Sequence, residues 1–275
     1  MHPSTVGWRV PWPGLAQLAA ETGYEGAVIP RDLPALDAAP DVGLDLPVRA
    51  TAMQLPVEVR QDEATFVSTF PKLRDSAKFA AIAGCKVALL GIPPSSEQPR
   101  AAQARIYRER LGRCCAILDE YSIRLALECI TPLHMRRAHP HEFIWRNAEM
   151  LDFGLSVSPN IGLILDTWHW HHGGSDPESI REIPADRILD VHLSDSPSAP
   201  AEDIRDSERL APGQGIIDLK LFFQLLDEKG YSDAVAVEVF GGFAKETPAD
   251  AARLAFEASQ TMFTSIGRCA RGSVG

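Results

Sequence analysis

The chain has 275 residues, 45% of them hydrophobic, enough to bury a large core as one α/β barrel or two smaller domains. Its formal net charge of −10 at pH 7 opposes a general nucleic-acid or anionic-membrane surface, and no Lys/Arg run supplies a local basic patch. No apolar stretch approaches the ~20 residues of a membrane span, Met1 to Arg9 carry no signal core, and five cysteines without Cys-x-x-Cys pairs point to reduced thiols in a cytoplasmic protein.

Strand-like runs fall near residues 5–10, 25–30, 48–54, 86–91, 123–129, 161–166, 188–194 and 234–240, with helix-like or loop segments between them. This alternation predicts a parallel sheet of βα units. Eight strands predict a single (β/α)8 TIM barrel over residues 1–266, followed by a flexible tail at 267–275. Apolar residues at three- and four-residue spacing predict helices over Glu63–Ala83 and Ala101–Tyr121, stopped near Gly84 and Ser122. Asp218 and Gly230 bracket another helix as N-cap and C-cap, and a closing helix runs from Pro248 to about Ile266. Pro93–Ser96 and Ser194–Gly215 are the marked loops, and the second is too long to be only a connector, so it covers or lines a site.

Four of the strands end in a potential metal ligand: Glu128, Asp166, His192 and Glu238. In a closed parallel barrel these ends converge on one mouth. Ionised groups closing apolar runs are costly to bury unless a cation meets them. Taken singly, Glu128 can pair with Arg124 or a neighbouring barrel charge, Asp166 can cap the next segment, His192 can be a satisfied core histidine, and Glu238 can meet Lys245. The conjunction on four strands favours one shared ion. Three carboxylates and one imidazole form a hard donor set that suits one divalent metal, Mn²⁺ ahead of Mg²⁺, Co²⁺ or Zn²⁺. Open coordination positions would let adjacent carbonyl and hydroxyl oxygens of a small molecule chelate.

Thr131 after Glu128, Leu165-Asp166-Thr167-Trp168-His169, Val191-His192-Leu193-Ser194-Asp195-Ser196 and Val237-Glu238-Val239 together resemble the xylose-isomerase-like TIM barrels over roughly residues 120–245. The resemblance implies that Glu128, Asp166, His192 and Glu238 hold the metal of the isomerase branch. It also implies that Glu128 and Glu238 act as paired acid/base groups, as in ketose epimerases. His169 matches the histidine of the family's Asp-x-x-His motif, which contacts substrate beside the metal. Arg209, ahead of Pro212-Gly213-Gln214-Gly215, matches an arginine that reaches substrate oxygens.

The expected activity is a metal-dependent isomerase or epimerase of a sugar, sugar phosphate or cyclitol acting through an enediolate. The alternative is a dehydratase of a cyclic polyol ketone such as inosose or dehydroshikimate, because the same enediolate can expel a β-hydroxyl. Cys129 to His134 lack the second glutamate that often follows the first ligand in ketose 3-epimerases. Repair endonucleases of the superfamily share the Leu-Asp-Thr-x-His and His-Leu-x-Asp-Ser motifs, but need an Asp-x-His pair where this chain has Glu208-Arg209-Leu210. The early strands offer no further ligands, with His2 set aside as terminal and His134 the next histidine. A catalytically silent barrel is the remaining reading.

His171 and His172 read as solvent-facing loop residues. His134, His139 and His141 join Arg136 and Arg137 in a basic loop that is solvated or receives an anionic group. The expected partner is a small sugar or cyclitol, not nucleic acid or membrane, and the oligomeric state is open between monomer and homo-oligomer.

Overall fold

The computed structural model describes residues 1–33 and 48–268; Cys269 and the rest of the expected tail, 270–275, lie outside the described residues. In chain order the strands are β1 (Gly26–Ile29), β2 (Arg49–Gln54), β3 (Val87–Ile92), β4 (Ser95–Ser96), β5 (Arg124–Cys129), β6 (His141–Glu142), β7 (Ile161–Asp166), β8 (Ile188–Leu193) and β9 (Val235–Val237). Seven of them form one parallel sheet in the order β1-β2-β3-β5-β7-β8-β9, while β4 and β6 pair as an antiparallel ribbon above it. The sheet curls into a nearly closed barrel, the expected single α/β TIM barrel.

The seam between β1 and β9 is bridged by the backbone of Met1 and His2. The Met1 backbone nitrogen donates to Gly26 O (2.7 Å), Val28 N donates to Met1 O (3.0 Å) and His2 N donates to Val237 O (3.1 Å). The strand expected at residues 5–10 does not form. Pro3 opens a 3-10 turn over Pro3–Val6, Gly7 and Trp8 have positive φ, and Pro11 and Pro13 carry no N–H for a ladder. The last strand is also shorter than expected, ending at Val237 before a turn at Gly241 (φ +77°), so Glu238 stands just past its end.

Around the barrel lie α1 (Gly14–Thr22), α2 (Glu63–Ser68), α3 (Phe70–Ile82), α4 (Arg100–Asp119), α5 (Leu133–Arg136), α6 (Asn147–Leu155), α7 (Thr167–His172), α8 (Glu178–Arg181), α9 (Leu219–Glu228) and α10 (Pro248–Ser265). The single helix expected over 63–83 is divided at Thr69, because Pro71 in the first turn of α3 cannot donate a continuing hydrogen bond. Asp218 caps α9 through Leu221 N (2.9 Å), and Gly230 follows that helix with φ +68°, as its sequence position predicts. Among the described residues no helix is long and apolar enough to cross a membrane.

Strand alternation sorts the core into two clusters. Val28, Ala52, Leu89, Ala126, Ile164 and Ala236 fill the lumen, and a larger cluster packs between sheet and helices. One pleat above the lumen layer, the same inward face carries Glu128, Asp166, His192 and Glu238. Cys129 points the other way into the outer core, as its neighbour's inward direction requires. Small lumen residues keep the strands close. At Gly162 an added Cβ would stand 2.6 Å from Arg187 O. We expect Gly162→Ala to destabilise the fold by about 1–3 kcal/mol, read as a lowered thermal midpoint; an unchanged midpoint would mean that β7 and β8 are less tightly apposed than described.

Candidate metal centre

Register delivers the four ligand candidates to one level: Asp166 is paired with His192 across β7 and β8, Glu128 with Ile164 across β5 and β7, and Leu193 with Val237 across β8 and β9. One ligand atom from each of Glu128, Asp166, His192 and Glu238 lies within 4.8 Å of the others. His192 Nδ1 is the focus, 3.1 Å from Glu128 Oε1, 3.2 Å from Glu238 Oε2 and 3.9 Å from Asp166 Oδ2. The opposite nitrogen, Nε2, faces Asp190 Oδ2 at 3.7 Å, and neither atom has another partner. Asp190 lies below His192 on the same inward face. A proton on Nε2 directed at this carboxylate leaves the Nδ1 lone pair aimed at the cluster, the orientation a metal-binding imidazole needs. Asp166 divides its oxygens: Oδ1 caps α7 through Trp168 N (2.6 Å), and Oδ2 faces the cluster.

Arg209, almost fully buried, reaches into this group from the long loop after β8. Its Nη1 donates to Asp166 Oδ2 (2.6 Å) and Glu238 Oε2 (3.0 Å), while Nη2 meets Asp206 Oδ1 (3.0 Å) and His169 Nε2 (3.2 Å). His169 is itself fixed, with Thr131 Oγ1 donating to its carbonyl (2.7 Å) and Thr131 N lying 3.4 Å from Nδ1. The loop is held by buried Asp195, whose carboxylate accepts the N–H groups of Ser196, Gly213, Gly215 and Ile217 at 2.8–3.1 Å. Backbone bonds between Asp195 and Leu210 in both directions (2.9 and 2.8 Å) then place Arg209 beside the cluster.

Charge explains the local acidities. Desolvation raises the Asp166 carboxyl to about 6, against the pull of Arg209 and His169. Glu238 goes the other way: desolvation pushes it up, but His2, His192 and Arg209 outweigh that and hold it well below the usual range. Desolvation pushes His192 down, yet Glu238, Asp190 and Glu128 hold it well above. Burial drives His2 down to about 3, so at neutral pH it offers Glu238 a hydrogen bond rather than a charge. Glu128, Asp166 and Glu238, with Asp190 one pleat below, outnumber the Arg209 guanidinium and the His192 imidazole, a deficit of positive charge that a divalent ion fits, and the four side chains could hold one.

Several expectations need correction. Glu238 turns to His2, His192 and Arg209 rather than Lys245, and Arg124 donates to Asp186 O (2.9 Å) rather than pairing with Glu128. His171 and His172 sit half-buried on α7, not on a solvent-facing loop; His172 stacks edge-on against Trp168 and meets Ser196 Oγ at 3.1 Å. The basic loop is largely compensated, with Arg136 stacked on Trp145 and paired to Glu142, and His139 paired to Glu97. His2 is the residue that reasoning from the sequence missed. It is buried, with its ring centroid 5.1 Å from that of His192 and Nδ1 3.1 Å from Glu238 Oε1. Its position before a proline-initiated turn was the available signal, but that signal does not reveal the contact with residue 238.

The family model described as xylose isomerase-like TIM barrel matches residues 43–260. The chain belongs to this family. Inosose isomerase of Bacillus subtilis (strain 168) is 29% identical over 165 residues, 57% of this chain and 56% of that protein, so the chain spans about half the length of the curated relatives it matches. A xylose isomerase domain protein from Alicyclobacillus acidocaldarius subsp. acidocaldarius superposes with a TM-score of 0.84 at 25% identity, covering 97% of this chain and 98% of that one. The IOLI protein, solved with a binding zinc atom, gives a TM-score of 0.78 at 21% identity over 97% and 98% of the two chains, a likeness of fold.

Within this family scaffold, Asp195 makes a direct prediction. Asp195→Ala strands four backbone donors and should speed amide hydrogen exchange across residues 210–217 by about 10-fold or more. Unchanged protection there would show that the loop is held by other contacts.

Proposed function

We propose that the protein is a divalent-metal-dependent isomerase or epimerase of a small hydroxy-ketone or hydroxy-aldehyde of sugar or cyclitol type. In this reading Glu128, Asp166, His192 and Glu238 hold one ion, Mn²⁺ ahead of Mg²⁺, Co²⁺ or Zn²⁺. The observation that carries it is the convergence of these four side chains at the C-terminal mouth of the barrel, with Arg209 and His169 locked beside them. The zinc atom in the IOLI structure supports a divalent ion at such a site, and the inosose isomerase activity named for the Bacillus relative supports the reaction class.

When bound, a divalent ion supplies Lewis-acid polarisation of a carbonyl oxygen and so makes the neighbouring C–H more acidic. Glu128 keeps Oε1 toward His192 Nδ1 and has Oε2 with which to take or return a proton, whereas Glu238 keeps Oε2 toward His192 and would exchange a proton through Oε1, the oxygen that meets His2 Nδ1. Return to the neighbouring carbon gives isomerisation, and return to the opposite face of the same carbon gives epimerisation. Arg209 offers a guanidinium to substrate oxygens, and His169 orients that guanidinium through Nε2. Asp206, on the other side of Arg209, keeps the charge from turning wholly inward.

The test is solvent exchange. Incubated in D₂O with candidate ketoses, aldoses and inososes, the metal-loaded protein should incorporate deuterium beside the carbonyl, followed by NMR. Exchange accompanied by loss of water would move the assignment to a dehydratase. Cleavage of abasic DNA with no exchange on any such carbonyl would overturn the reading.

Glu128→Gln and Glu238→Gln should each slow exchange by roughly 10²–10⁴-fold while retaining part of the metal, since each keeps an oxygen donor but loses the base. Near-native exchange in both variants would exclude the pair as bases. His169→Ala should leave metal content nearly intact and impair turnover.

Cation affinity should fall as pH drops through about 6. Asp166 sits there because burial raises it, and it accepts a proton before a carboxylate of ordinary acidity would. A metal affinity independent of pH between 7 and 5 would contradict that placement.

A further inference from the structure

Glu238 lies beyond the last residue of β9, so the sheet ladder fixes it only through Glu238 N, which donates to Leu193 O (2.9 Å). The rest of its support comes from the other end of the chain. His2 N and Thr5 Oγ1 both donate to Val237 O (3.1 and 2.7 Å), and Val239 N donates to Thr5 Oγ1 (3.1 Å). Residues on both sides of Glu238 are thereby tied to the turn at Pro3–Val6. The side chain is held from the same place: Oε2 faces His192 and Arg209, while Oε1 meets His2 Nδ1 at 3.1 Å.

The His2 ring is itself immobilised. Gln54 Nε2 lies 2.6 Å from His2 Nε2, and Ser4 Oγ lies 2.7 Å from Nδ1. With the Gln54 amide donating to Nε2, the ring proton sits on Nδ1, directed at Glu238 Oε1 and Ser4 Oγ. Ser4 N approaches the same nitrogen at 3.3 Å, a longer contact, so the Gln54 bond decides the tautomer. Glu128 has no equivalent. Its Oε2 lies beside Gly91, where a Cβ would stand 3.4 Å away, and has no hydrogen-bond partner among the described residues.

We infer that His2, oriented by Gln54, is a positioning residue that holds Glu238 Oε1 and keeps Oε2 turned to the metal cluster. The two glutamates are then unequal. Glu238 is the fixed member of the pair, and Glu128 is the one with an oxygen free to swing toward substrate. The inference rests on the proposed proton-transfer reading for its kinetic consequence, but not for its geometry.

Two measurements test it. Kinetically, His2→Phe should slow substrate proton exchange roughly 10- to 100-fold, with KM changed less than about 2-fold, because a displaced base costs turnover more than binding. His2→Asn, which returns a donor near the position of Nδ1, should recover most of the rate. In a Glu238→Gln background the His2→Phe effect should shrink to near nothing. Native rates in His2→Phe, equal damage in the Phe and Asn variants, or an undiminished effect in the Glu238→Gln background would each overturn the proposal.

Independently of any turnover, ¹⁵N NMR of the His2 ring should show the proton on Nδ1, with a shift change on Glu238→Gln. A proton on Nε2 would overturn the proposal even if the enzyme proved active. Absence of exchange on every substrate with the Nδ1 proton in place would count against the functional reading and leave the His2 clamp supported.

Discussion

Burying several carboxylates together sets the terms for the rest of this structure. Glu128, Asp166 and Glu238 project inward from separate strands, Asp190 lies one pleat below, and all are withdrawn from most solvent. Like charges so placed repel strongly in a low-dielectric interior and persist only where positive charge is brought to them. The fold brings it from two directions, His192 from β8 and Arg209 from the loop that Asp195 anchors, and the four side chains could hold an ion as a third source. The long loop after β8 therefore does more than connect β8 to α9. It carries a guanidinium to a place the barrel strands do not fill.

Much of this was legible in the sequence because strand alternation is strict. Apolar residues alternate with the inward set in Leu125-Ala126-Leu127-Glu128 and Leu163-Ile164-Leu165-Asp166, so the side of the sheet carrying each carboxylate follows from its spacing to the apolar residues before it. Parallel strands then place their ends at one mouth without further information. The caps of α9 and the direction of Cys129 follow from equally local rules.

Contacts between distant segments were not legible. His2 and Glu238 are joined by barrel closure, and nothing in Met1-His2-Pro3 announces that two residues stand in for a strand. The run at 5–10 looked strand-like by composition, but its turn glycine and flanking prolines decide otherwise. The division between α2 and α3 is again a proline effect overriding helical periodicity. His171 and His172 depart from the loop expectation for a different reason. Adjacent glycines suggested a loop, whereas the Asp166 cap starts a short helix that packs His172 against Trp168.

The central claim is that the four converging side chains bind one divalent cation. Anomalous diffraction from crystals soaked in Mn²⁺ or Zn²⁺ tests it most directly. The account predicts one strong peak about 2.0–2.3 Å from a donor atom of each of Glu128, Asp166, His192 and Glu238. A peak held instead by His169, His171 and His172, or no peak at the barrel mouth under saturating metal, would contradict it.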